Sequence, residues 1–186
     1  MFEKDAVFLA SARAQLSAYQ TSEARERAFR ERMLGLLDSS APTSRRQFEP
    51  GHLTASAFVV SPEADAVLLI LHKKLQIWVQ PGGHIETGDS SLEAAARREV
   101  AEEVGVPLVH GPSAAIFDLD IHLIPPRKDE LAHEHFDVRF CFRATTRAFV
   151  ASDEVTEVAW APLSTIERLT SDESVLRAAR KLSVAK

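Results

Sequence analysis

"GGHIETGDSSLEAAARREVAEEVGV", residues 82–106, sets Glu99, Glu102 and Glu103 on one helical pattern behind a glycine-rich lead. Ser90 and Glu93 fit a capping box, in which the serine accepts first-turn amides and the glutamate reaches back to the cap amide. Gly105 is placed to end the helix in a left-handed conformation. The pattern therefore predicts a helix from Ser91 to Val104. At about 100° per residue the three glutamates share an arc that overlaps the sector of Leu92, Ala95 and Ala96. The acids thus point toward the protein or its edge rather than into open solvent.

That placement needs compensation. Like charges three and four positions apart destabilise a helix by ~0.2–0.5 kcal/mol per pair, and partial burial adds a desolvation cost. Arg97 and Arg98 could pair with some of the acids, giving an ordinary acidic helix face. A divalent cation held by several carboxylate oxygens is the more economical answer. All-oxygen ligation suits Mg2+, with Mn2+ as a substitute, rather than zinc.

Gly83, Arg98, Glu99, Val100, Glu102, Glu103, Gly105 and Val106, with the lead-in "WVQPGG", resemble the Nudix signature: Gly, five residues, Glu, seven residues, Arg-Glu, aliphatic, any, Glu-Glu, any, Gly, aliphatic. Two departures stand out. Asp89 occupies the place of the first Glu, and eight residues rather than seven separate it from Arg98. The added residue falls in "GDSSLE", where it lengthens the loop without rotating the helical acids, so it touches the role of Asp89 alone.

The resemblance implies an α/β fold, the Nudix-type α/β/α sandwich with a mixed sheet. It also implies a Mg2+-dependent hydrolase that cleaves a pyrophosphate bond in a nucleoside diphosphate linked to another moiety, or in a similar small phosphate compound. Gly83, Glu99, Glu102 and Glu103 would hold the metal, with Glu102 and Glu103 catalytic and Arg98 orienting a neighbouring Glu. Glu102 or Glu103 is the first candidate for general base, and Glu130 or Glu134 the second. The same fold leaves two alternatives: a non-catalytic nucleotide-sensing module, which need not keep all three acids, and an isopentenyl-diphosphate-isomerase-like enzyme. The second would need a reactive cysteine near the metal, and Cys141, among three phenylalanines, reads as a small sheet residue.

Outside the box, residues 1–45 read as an N-terminal helical extension and 46–186 as the main domain. Two helical patterns occupy residues 3–38, with Thr21 or Ser22 as the cap of the second. "DSSAPTSRRQFEPG" marks the boundary. "TASAFVVS" and "AVLLILH" form a hairpin, "IWVQ" a third strand, and residues 117–123 and 136–142 alternate as strands whose polar sides carry acids and bases. "VTEVAWAPL" is the last strand; "LSTIERL" and "DESVLRAARKL" are closing helices.

Several side chains could serve the substrate. His84 follows the glycine pair. Arg127 and Lys128 sit in the long connection "IPPRKDELAHEH" and could steer a polyphosphate. Arg139 could contact substrate, although pairing with Asp137 is the plainer reading. His133 and His135 have a spacing a metal could use, but no third nitrogen or sulfur ligand is evident, so the reading is against zinc.

A formal net charge of -5 over 186 residues argues against bulk nucleic acid as partner. One cysteine permits no intramolecular disulfide, the acidic N-terminus is unlike a secretory signal, and the longest apolar run, residues 66–71, is far too short to cross a membrane. A cytoplasmic protein is expected, acting on a small phosphorylated substrate. "FLASARAQLSAY" could cover the domain or form a homodimer contact.

Overall fold

Alternating apolar residues from Leu53 to Val59 build β1, Gly51–Val60, the strand from which a seven-stranded sheet is assembled. The computed structural model describes residues 3–73, 76–111, 114–127, 130–153 and 155–184, with side chains from residue 6 onward. Lys128, a sequence candidate, lies outside the described residues. The chain begins with helices α1 (Glu3–Ala18) and α2 (Ala24–Leu36). After β1 come β2 (Ala66–His72), β3 (Trp78–Val79), β4 (Gly82–His84) and α3 (Leu92–Val104). Strands β5 (Asp118–Ile124), β6 (His133–Arg143) and β7 (Val155–Pro162) precede a 3-10 helix, Leu163–Arg168, and α4 (Glu173–Val184).

Strand order is β3-β2-β1-β6-β5, with β4 paired to β1 and β7 to β2. The β1–β2, β2–β3, β2–β7 and β5–β6 pairs are antiparallel. β1 and β6 run in the same direction: the Glu134 amide donates to the Pro50 carbonyl at 3.0 Å and the Ala144 amide to the Val60 carbonyl at 2.9 Å, one register held along the pair. The sheet is therefore mixed, and with its helices it is the α/β fold that the sequence predicts.

The chain forms two compact units, and β1, β4, α3 and β6 contribute residues to both. The first holds Met1–Ala55, Gly83–Ala95 and Ala115–Phe140. Here α1 packs on α2, and α2 on β5. The Tyr19 hydroxyl lies 2.5 Å from Glu26 Oε2 and 3.3 Å from the Phe117 carbonyl, and Arg32 pairs with Glu134. Burial, followed by the Glu26 carboxylate, pushes the Tyr19 pKa up. The cap expected at Thr21 or Ser22 is instead Glu23, with no side-chain cap bond. Thr21 is used otherwise, accepting the Glu23 amide and donating to Glu26.

Gly51 explains how closely β1 and β6 approach. At φ +151° a Cβ there would meet the Glu134 carbonyl oxygen at 1.8 Å, a contact no side-chain-bearing residue could accept.

The polar sides of β5 and β6 are buried where Asp118, Asp120, Asp137 and Arg139 meet. Asp118 and Asp120 lie opposite Arg139 and Asp137 in the antiparallel register, and all four are buried. Arg139, 2% exposed, sets Nε 2.8 Å from Asp137 Oδ2, Nη1 3.4 Å from Asp118 Oδ2 and Nη2 3.3 Å from Asp120 Oδ2. Thr54 donates to the other Asp137 oxygen at 3.1 Å. Burial opposes the guanidinium charge, and Asp137, Asp120 and Asp118 outweigh it, raising its pKa. The substrate contact considered for Arg139 is therefore corrected to a buried structural pairing, because its donors are turned onto aspartates at almost no exposure.

The second unit holds Ser56–Gly82, Ala96–Ala114 and Cys141–Lys186. Its centre is the long β2–β7 pairing, from Ala66 opposite Pro162 to His72 opposite Val155. "LSTIERL" is a 3-10 helix rather than a full α-helix, with Thr165 at φ -141° breaking the helical run. Thr170 then donates to the Trp78 carbonyl at 2.9 Å, joining the closing segment to β3.

Removing the Arg139 charge leaves three buried aspartates facing one another. Arg139→Ala is expected to destabilise the chain by about 3–5 kcal/mol, the range for breaking a buried ion pair from one side. Urea unfolding followed by circular dichroism measures it, and a loss under 1 kcal/mol would contradict the buried network.

Candidate active site

The loop between β4 and α3 is built by reciprocal bonds. The Glu86 amide donates to Asp89 Oδ2 at 2.8 Å, and the Asp89 amide donates to the Glu86 carbonyl at 3.0 Å. This turn absorbs the residues ahead of the helix, and it moves the cap by one position. Ser91, not Ser90, accepts the Ala94 amide on its Oγ at 3.1 Å, and its carbonyl accepts the first intrahelical bond from Ala95. The helix accordingly begins at Leu92, with Glu93 in its first turn. Gly105 sits at φ +54° and its amide donates to the Val100 carbonyl at 3.1 Å, the left-handed stop the sequence predicts.

Between those ends, Leu92, Ala95, Ala96, Val100 and Val104 are fully buried and fix which side of α3 faces inward. Glu103 follows that side at 7% exposure; the Glu99 side chain is 13% exposed and that of Glu102 54%. In the second unit Glu103 Oε2 accepts the Gly82 amide at 2.9 Å. Arg98 Nη1 donates to Glu99 Oε1 at 3.0 Å and Glu102 Oε2 at 2.8 Å, holding both. Arg97 lies over the Phe142 ring at 4.1 Å.

Arg98 thus pairs with Glu99 and Glu102, and Glu103 with the Gly82 amide. The donors are all oxygen, they lie on neighbouring helical turns, and Glu103 is largely shielded from water. That donor set fits a hard divalent cation such as Mg2+.

The remaining sequence candidates lie in the first unit. His84 ends β4 and is half-buried. Arg127 is exposed, in a backbone bridge with Glu130. Glu134 is taken up by Arg32. His133 and His135 lie on β6, and the structure brings His52 of β1 to them, with ring centroids 5.0 and 4.9 Å away. Sequence reading missed His52. Its local signal was only a histidine at the head of a strand, and its partners are far away along the chain.

Burial works against the charged form of three of these imidazoles, His52, His84 and His135. Burial first, then the neighbouring rings, lowers the His52 and His135 pKa values, and burial followed by His52 brings His84 down to about 4. Cys141 is moved the other way, its thiol pushed up to about 11 by burial.

Residues 50–181 match the family model for the NUDIX domain. A Bacillus subtilis (strain 168) protein named "Putative 8-oxo-dGTP diphosphatase" is 43% identical over 53 residues, 28% of this chain and 35% of that one. The match thus spans about a third of the relative's length. A NUDIX-family hydrolase from Clostridium perfringens is similar in structure, at 24% identity and a TM-score of 0.55, over 73% of this chain and 98% of that one. The NUDIX domain of Shewanella oneidensis NrtR, complexed with ADP ribose, is similar over 89% of this chain and 99% of its own, at 20% identity and a TM-score of 0.55. No described helix is long and apolar enough to cross a membrane.

The lowered histidine pKa values have a signed consequence. A histidine at 6.5 when unfolded and lower when folded binds its proton in the unfolded state first, so its stabilising effect is full above about 6.5 and is lost as pH falls. For the chelator-treated chain, stability should drop as pH decreases from 6.5 toward 4, by up to ~1.4 kcal/mol per pH unit for each shifted histidine. Urea midpoints at pH 7.5, 6 and 5 test this; no change across the series, or a rise, would contradict the buried neutral rings.

Proposed function

This chain belongs to the NUDIX domain family, and we propose that it is a Mg2+-dependent hydrolase of the pyrophosphate bond in a nucleoside diphosphate linked to another moiety. The observation that carries the reading is the acid face of α3, with Glu103 on the Gly82 amide and Glu99 and Glu102 joined by Arg98. We read residues 83–106 as the family's box with one added residue and Asp89 in place of its first acid. The Glu86–Asp89 turn supports this, since it takes up the added length before Ser91 caps the helix.

In this reading Glu99, Glu102 and Glu103 hold the metal, with Gly83 directly after the amide that Glu103 engages. Mg2+ bound there supplies charge neutralisation for the pyrophosphate oxygens and polarises the phosphorus. The chain's own residues do the rest. Arg98 fixes the rotamers of Glu99 and Glu102, so that oxygen donors need not reorganise during reaction. Glu102, the most open of the three acids, takes the proton of the attacking water. A new phosphorus–oxygen bond forms as the anhydride bond breaks, and the leaving phosphate oxygen departs with the bond's electron pair. His84 and Arg127 are the candidate substrate contacts, and Arg139 is not among them.

The sensing module and the isomerase-like enzyme are weaker readings. The sequence carries all three acids, and a thiol pushed up to about 11 is the opposite of an activated nucleophile.

The test is a turnover screen with Mg2+ or Mn2+ against ADP ribose, dinucleoside polyphosphates, nucleotide sugars, coenzyme A and nucleoside triphosphates. Metal-dependent cleavage of at least one compound is expected, abolished in the Glu102→Gln, Glu103→Gln double variant and much less affected by Asp89→Asn. Binding of a nucleotide without any turnover would move the assignment to a sensor.

A further inference from the structure

Five of the seven histidines converge in the first unit: His52 on β1, His84 on β4, His122 on β5, and His133 and His135 on β6. The glycine at position 51 lets β1 approach β6 closely, and His122 lies opposite His135 in the β5–β6 register. Ring centroids stand 5.0 Å apart for His52 and His133, 4.9 Å for His52 and His135, and 5.2 Å for His133 and His135.

Their hydrogen bonds define the tautomers. His52 Nδ1 lies 3.1 Å from the Gln47 carbonyl and His133 Nδ1 2.7 Å from the Leu131 carbonyl. A carbonyl only accepts, so both Nδ1 atoms carry a proton, which in the neutral ring leaves Nε2 with the lone pair. His52 has no exposed surface, and its Nε2 has no hydrogen-bond partner among the described residues. An unmet buried acceptor is costly, and a bound cation would meet it. The charged groups facing His52 and His84 are Arg45 and Glu130, one of each sign.

We propose that His52, His133 and His135 form a second metal site, selective for zinc-class transition ions and separate in chemistry from the carboxylates of α3. One ligand atom from each of the three lies within 4.8 Å of the others. Tetrahedral zinc, with nitrogen at about 2.0–2.1 Å, sets its ligands roughly 3.3 Å apart, so modest ring rotation closes the site. The Nδ1–H bonds to backbone carbonyls are the outer support that orients metal-bound histidines and fixes their tautomer. Three imidazole ligands leave a fourth position for water or an anionic oxygen. Nitrogen donors prefer Zn2+ or Co2+ over Mg2+, so the two sites would discriminate between ions by donor type.

The test uses the full chain carrying Glu99→Gln and Glu103→Gln, so that the site survives even where the hydrolase reading fails. Chelator-treated protein is titrated with Zn2+ by calorimetry and with Co2+ by visible absorption. One ion per chain and the intense d–d bands of four-coordinate cobalt are expected. His133→Gln and His135→Gln, made separately, should each weaken Zn2+ binding beyond the ~10- to 100-fold that loss of an outer support brings. Circular dichroism identifies a variant that does not fold, and the cobalt spectrum then decides without it. No bound Zn2+, an octahedral cobalt spectrum, or unchanged affinity in both folded variants would overturn the proposal.

Discussion

A single carboxylate–amide bond sets the geometry of the acid face: Glu103, 7% exposed, accepts the Gly82 amide at 2.9 Å. A hydrogen bond to an ionised group is stronger than one between neutral partners, and here it stands where water is largely excluded. Once Glu103 is anchored, the helical repeat brings Glu99 and Glu102 to neighbouring turns, and Arg98 locks both. The buried apolar row from Leu92 to Val104 keeps α3 from rolling. The shared side of the acids on α3 is therefore a consequence of helix rotation and one anchor, rather than of three independent placements.

The first unit treats charge differently. On the polar side of β5 and β6, Arg139 collects three aspartates, while a short distance along β6 burial pushes the His135 pKa down. One end of that face stores compensated charge, and the other gathers imidazole rings. The close approach of β1 to β6 at Gly51 brings the two strands near enough for both arrangements to include a β1 side chain, Thr54 with Asp137 and His52 with His133.

The sequence made α3 legible because its information is local: spacing, a serine cap and a stopping glycine all lie within one helix. The cap was misplaced by one residue because Ser90 and Ser91 are equivalent in sequence, and only the Glu86–Asp89 turn distinguishes them. Strand alternation in β5 and β6 was also legible. The alternating pattern does not say whether the polar side meets water, however, and the register that places Asp118 and Asp120 opposite Arg139 and Asp137 is non-local. His52 was invisible for the same reason, since its partners arrive through parallel pairing of distant strands. β4 was hidden in a glycine-rich segment whose pairing with β1 shows as the Ala57 amide donating to the Pro81 carbonyl at 3.0 Å.

The most direct test of the account is whether the α3 acids hold a divalent cation. Mn2+ binding can be followed by electron paramagnetic resonance, with equimolar Zn2+ present to occupy imidazole ligands. The account predicts one bound Mn2+ in the unaltered chain, lost in the Glu99→Gln, Glu103→Gln variant. Equal Mn2+ binding in both proteins would contradict it.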